Sequence, residues 1–109
     1  KVPHGVVCAL MLPYVMEFNI LGRLGKVSEI ANLLGENIDN NINEAHIIAI
    51  EKVESLIEQL GMPRKLSQIG FNKKDVESVV EATKFSAAIR YNPRSVSPQD
   101  IADILKKAI

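Results

Sequence analysis

Residues 6–16 read VVCALMLPYVM, a run with no charged or strongly polar side chain. It is too short to cross a membrane as a helix, which takes about 20 apolar residues. A secretory leader has an apolar stretch of this length. Here, however, no cluster of positive charge precedes it, and no small-residue cleavage site follows before Glu17. The remaining reading is a helix apolar on nearly every side, the kind that lies in the middle of a protein. A chain of 109 residues offers little interior in which to enclose one. Part of its cover is therefore expected to come from elsewhere. The first residue, Lys1 rather than Met, fits the same expectation of a chain that starts within a larger protein.

Working outward, Pro3 and Gly5 stand where a helix begins, and the helix is expected to run over about 5–19. Pro13 inside it removes one backbone hydrogen bond and crowds the preceding turn, so a bend is expected between Ala9 and Pro13. Gly22 and Gly25 bracket a turn. Val27, Ile30, Ala31 and Leu34 then follow at helical spacing, with Gly35 as a left-handed cap. Residues 36–43, ENIDNNIN, read as a loop whose last residue, Asn43, caps the longest helix. The apolar stripe of that helix includes Ile50, Val53, Ile57 and Leu60, and Gly61 and Pro63 end it.

A connector over 64–71 holds one short turn at 66–69. Asn72, with Asp75 three residues on, starts a fourth helix whose inner face is Val76, Val79, Val80 and Thr83. Residues 85–91 fit helix or loop equally. Ser97 with Asp100, and Pro98 between them, open a last helix striped by Ile101, Ile104, Leu105 and Ala108. The fold class is all-α, about five helices in one domain, without strands, repeats or low-complexity segments.

Thirteen basic residues balance thirteen acidic ones, with a pI near 6.9. That argues against a domain built to hold nucleic acid or an anionic membrane, which draws its affinity from excess positive charge. The stretch 66–81 has the outline of a helix-turn-helix, but its outer face presents Glu77, Ser78 and Glu81, which repel phosphate. The single cysteine excludes an internal disulfide framework and is consistent with a reducing compartment.

Few residues are equipped for chemistry. His4 stands at the entry to the apolar helix, where unpaired N–H groups and the helix dipole place partial positive charge. A second positive charge on the ring is disfavoured there, and the neutral ring is the form that coordinates metals. Cys8, four residues on, could share its face. A Cys and His pair at that spacing can bind zinc, but no further partners are in sight, and the better reading is a buried helix cysteine. His46, beside Glu44 in the first turn of the longest helix, reads as a solvated helix residue. No phosphate loop, nucleophile triad or carboxylate pair stands out.

Residues 2–19, VPHGVVCALMLPYVMEFN, resemble a signature of the iron-containing (group III) alcohol dehydrogenases: Pro-His-Gly, an apolar helix, Leu-Pro, then Phe-Asn. EIANLLG at 29–35, LGMPRKLSQIG at 60–70, NPRSVS at 92–97 and DIADILKKAI at 100–109 agree in the same order. The resemblance spans essentially the whole chain. It implies that residues 1–109 are the C-terminal part of the helical metal-binding domain of a dehydroquinate synthase-like fold, with the nucleotide-binding domain outside this chain.

The family implies NAD(P)-linked interconversion of an alcohol and an aldehyde or ketone at one Fe²⁺, or Zn²⁺ in relatives. The metal is held by an aspartate and three histidines, the last being the histidine of Pro-His-Gly. On that match His4 is the expected metal ligand and the only site residue carried over; the other ligands are expected before Lys1. The resemblance also implies a cytoplasmic homo-oligomer with a small alcohol or aldehyde substrate, and neither nucleic acid nor membrane as partner. The chain alone is expected to be inactive, to hold no metal tightly and to associate through its apolar helix. Two alternatives are a non-enzymatic helical interaction module and a zinc-dependent polyol dehydrogenase of the same superfamily.

Overall fold

The first helix, α1 (His4–Asn19), starts directly after Pro3, whose carbonyl accepts from Val6 N at 3.1 Å and Val7 N at 3.4 Å. These coordinates are a computed structural model and describe residues 2–19, 33, 35 and 42–109, with the backbone alone at 42–46. Pro13 lies inside α1 and is buried. Having no N–H, it leaves the Ala9 carbonyl without the helical bond it would otherwise accept. Leu10 and Pro13 are the only residues of α1 fully enclosed, whereas Leu12 stays 46% exposed. Helix α1 is thus partly covered, most of its other residues being half-buried.

Helix α2 (Ile42–Gln59) buries Ala49, Val53 and Ile57, one per turn along a single line. Asn43 does not cap it: the helix already includes Ile42, so the capping position falls before the described residues. Of the loop expected over 36–43, the last two residues are helical and the rest lies outside the described residues. Leu60 drops out of the buried stripe, at 65% exposed, because it lies past the last helical residue. The end is tight. Met62 N donates to the Ile57 carbonyl at 3.2 Å and Gly61 N to Glu58 at 3.0 Å, with Gly61 at φ +68°. This double bond pattern needs a left-handed residue, which glycine supplies without steric cost.

The connector takes the expected form, a short 3₁₀ turn over Leu66–Ile69 closed by Gly70 at φ +90°. Gln68 Oε1 accepts from Arg64 N at 2.8 Å and Lys65 N at 2.9 Å, which supplies partners to two backbone donors at its start. A second 3₁₀ turn, Lys73–Asp75, leads into α3 (Val76–Thr83). Asn72 holds the N-cap position of this turn, as read from the sequence: Asp75 Oδ2 accepts from Asn72 N at 2.9 Å and Asp75 N donates to the Asn72 carbonyl at 2.9 Å, while the Asn72 amide donates to the Gly70 carbonyl. Val76 is buried and Val79, Val80 and Thr83 half-buried, the face the spacing indicated.

The ambiguous stretch resolves into one helical turn, α4 (Ala87–Arg90), flanked by exposed Phe85 and Tyr91. Helix α5 (Pro98–Ala108) opens with the reciprocal box read from the sequence. Asp100 N donates to Ser97 Oγ at 3.1 Å, and Ser97 N donates to Asp100 Oδ2 at 2.9 Å.

Leu10 of α1, Leu66, Val76 of α3 and Ile101, Leu105 and Ala108 of α5 form one buried cluster. Helix α1 is its centre, packed against α2 on one flank and α5 on the other, while α3 closes on α5. Five α-helices and no strand occur among the described residues, and none of these helices is long and apolar enough to cross a membrane. The turn expected at Gly22 and Gly25 lies outside the described residues. So does the helix expected over 27–34, apart from Leu33, which is helical and exposed; Gly35 has the left-handed φ (+96°) of a cap.

Candidate metal site

The two ends of α1 have opposite surroundings. At its start His4 is exposed, with no acidic side chain in the first turn. One turn on, Cys8 is exposed too, and its Sγ lies 3.3 Å from His4 Nε2. The pair does share a face, as a spacing of four allows. The expectation of a buried cysteine is therefore corrected. His46 belongs to α2, in the stretch where the backbone alone is described.

At its far end α1 is held by side chains from three other stretches. Tyr14 Oη donates to the Arg64 carbonyl at 2.8 Å, and Lys65 Nζ lies 5.6 Å from the Tyr14 ring centre. Lys107 Nζ of α5 donates to Glu17 Oε1 at 2.7 Å. Asn92 Nδ2 donates to Asn19 Oδ1 at 2.7 Å, and Arg94 Nη1 to the Phe18 carbonyl at 2.9 Å, with its guanidinium 4.1 Å from the Phe18 ring centre. The stretches Phe-Asn at 18–19 and Asn-Pro-Arg at 92–94, far apart in sequence, thus meet.

The whole chain, residues 1–109, matches the Fe-containing alcohol dehydrogenase family, C-terminal. It belongs to that family. The 1,3-propanediol dehydrogenase of Citrobacter freundii is 31% identical over 97% of this chain and 28% of its own length. The NAD-dependent methanol dehydrogenase of Bacillus methanolicus is 29% identical over 100% of this chain and 29% of its own length. Among solved structures, an alcohol dehydrogenase from Oenococcus oeni superposes with a TM-score of 0.93 at 32% identity, over 99% of this chain and 28% of that one. The chain thus spans under a third of the length of these relatives.

With the family established, the stretches that resemble its signature divide by role. Phe-Asn, LGMPRKLSQIG, NPRSVS and the closing DIADILKKAI hold α1 in place: Arg64, Lys65, Asn92, Arg94 and Lys107 all bond to it or lean on it. In Pro-His-Gly, His4 is exposed. Arg64 also pairs with Glu54 and, at 3.4 Å, Glu58 of α2, which ties the connector to both helices.

The fit to a divalent metal rests on the donor set. His4 Nε2 and Cys8 Sγ are exposed donors of types that bind iron and zinc, side by side. No group of three His, Cys, Asp or Glu donors that could enclose a metal occurs among the described residues. A catalytic metal takes about three protein ligands and an open position, more than the His4 and Cys8 pair alone offers.

Proposed function

We propose that residues 1–109 form the C-terminal part of the metal-binding helical domain of an NAD(P)-dependent alcohol dehydrogenase, with His4 as one ligand of its divalent cation. The observation that carries this reading is the placement of His4. It is exposed at the start of α1, while the stretches 60–70, 92–97 and 100–109 fasten the other end of the same helix. A bound divalent cation supplies Lewis acidity toward the oxygen of an alcohol or carbonyl substrate. The chain's own part is to fix the imidazole: α1 is about 24 Å long at 1.5 Å per residue, and its position is set by Tyr14, Glu17, Phe18 and Asn19.

NAD(P) as hydride carrier is supported by the Bacillus methanolicus relative, whose name specifies NAD, and iron by the family to which the chain belongs. The relatives named above act on a diol and on methanol, which supports a small alcohol or the corresponding aldehyde as substrate. The balanced charge argues against nucleic acid as a partner.

The test is the metal content of the full-length protein purified without oxygen, native against His4→Phe. The variant is expected to lose its bound metal and most NAD(P)-linked turnover while keeping its helical content. Equal metal in the two proteins overturns the assignment. A second reading, a helical docking module, is favoured by the exposed Leu12, Leu56 and Leu60. It differs at the same residue: partner binding would survive His4→Gln, which the metal site would not.

A further inference from the structure

A cavity of about 310 Å³ lies between α1, α3, α4 and α5. From α1 it is lined by Met11, Val15 and Phe18. With His4 and Cys8 these form one row along the helix, at positions 4, 8, 11, 15 and 18, so the cavity wall continues the face that carries the imidazole. Met11 follows His4 by about 10 Å at 1.5 Å per residue. The lining is almost wholly apolar, and its two polar side chains offer no free donor. Thr83 Oγ1 donates to the Val79 and Val80 carbonyls at 2.9 and 3.2 Å, and Asn92 Nδ2 commits its two hydrogens to Asn19 Oδ1 and the Arg94 carbonyl. Among the described lining residues only Ala88 of α4 is exposed, the others being half-buried or buried, so Ala88 stands at the mouth.

We propose that this cavity receives the aliphatic tail of a monohydric alcohol, or of the matching aldehyde, whose oxygen is directed to the cation at His4. The inference rests on the reading of His4 as a metal ligand and narrows the substrate. A chain extended along the His4 face of α1 passes Cys8 and enters apolar surroundings at Met11. Each methylene buried there tightens binding by up to about fourfold. A second hydroxyl at the far end of the chain would leave water for walls without a free donor, which costs about tenfold or more in affinity. The cavity therefore selects an alkyl chain over a diol of equal length.

The test uses the full-length protein. Stripped of metal, the native protein, Ala88→Leu and Ala88→Phe are titrated by calorimetry with 1-octanol and with 1,8-octanediol, with helical content checked for each. The native protein is expected to bind 1-octanol about tenfold or more tightly than the diol. Both variants, which narrow the mouth at an exposed position, are expected to bind 1-octanol more weakly by a similar factor. Loaded with metal, both are expected to show a matching fall in the ratio of kcat/KM for 1-octanol to that for ethanol. No octanol binding by the native protein, equal affinity for alcohol and diol, or binding or a ratio unchanged in both variants overturns the cavity as the tail site and leaves His4 standing. A native protein that binds 1-octanol as expected, yet oxidises no alcohol once loaded with metal, overturns the dehydrogenase reading and with it the tail's role in a substrate.

Discussion

Asn92 Nδ2 donates 2.7 Å to Asn19 Oδ1 and 2.7 Å to the Arg94 carbonyl, so one amide joins the last residue of α1 to the segment that leads into α5. Both asparagines are half-buried, where an abandoned acceptor finds water less easily.

Removing that amide tests the lock. Asn92→Ala is expected to lower unfolding stability by about 1–2 kcal/mol, the range for a hydrogen bond lost at a partly buried site. Urea titration of native and variant protein measures it, and an unchanged midpoint would show that the junction is held by Arg94 and Phe18 instead.

Among the described residues Leu10 is the most enclosed large side chain, at 1% exposure, in a cluster drawn from α1, α3, α5 and the 66–69 turn. Leu10→Ala is expected to cost about 2–5 kcal/mol through lost transfer energy and the cavity left behind. Leu12→Ala, two positions on and 46% exposed, is expected to cost far less in the chain on its own. Denaturation midpoints of the two variants, side by side, check the contrast.

Asp100 carries a pH signature. The Ser97 backbone N–H, then the Ser97 hydroxyl, and the charge of Arg94 hold its carboxyl below the ordinary aspartate value of 3.8, against a smaller opposing effect of desolvation. A carboxyl depressed in the folded state adds stability that is fully present above the unfolded value and lost as pH falls through the folded one. The start of α5 is therefore expected to weaken only below about pH 4. Asp100→Asn should remove that acid-side component from a pH series of thermal melts, leaving the neutral-to-alkaline slope as it was.

Leu12, Leu56 and Leu60 line one apolar groove between α1 and α2 and are each 46–65% exposed. The 109-residue chain in isolation is expected to self-associate through it, and Leu56→Glu with Leu60→Glu to shift the population toward monomer. Sedimentation at several concentrations reads the change, and a monomeric native chain at all of them would refute it.

Much of this was legible in the residues themselves. The box at Ser97 and Asp100, the turn at 66–69 and the valine face of α3 follow from local chemistry, since each depends on neighbours within four positions. The failures have a common cause. Asn43 and Leu60 are read from residue type, yet a cap or a stripe depends on where the helical backbone starts and stops, which one side chain does not decide. Cys8 was misread because burial depends on which face finds a partner, and α1 is apolar on all of them. The bonds from Arg64, Asn92 and Arg94 to α1 span 50 to 76 positions, and no periodicity reports them. For His4, local reading gave a reason for the residue type; its role came from the motif around it.

The anchorage of α1 at Tyr14–Asn19 and its outward ring at His4 are separated by a fixed number of helical steps. Each step turns the backbone by about 100°. The intervening residues can be exchanged for others of similar size, but adding or deleting a single one between Ala9 and Pro13 would swing the imidazole to another side of the rod. In this segment length is under tighter constraint than identity.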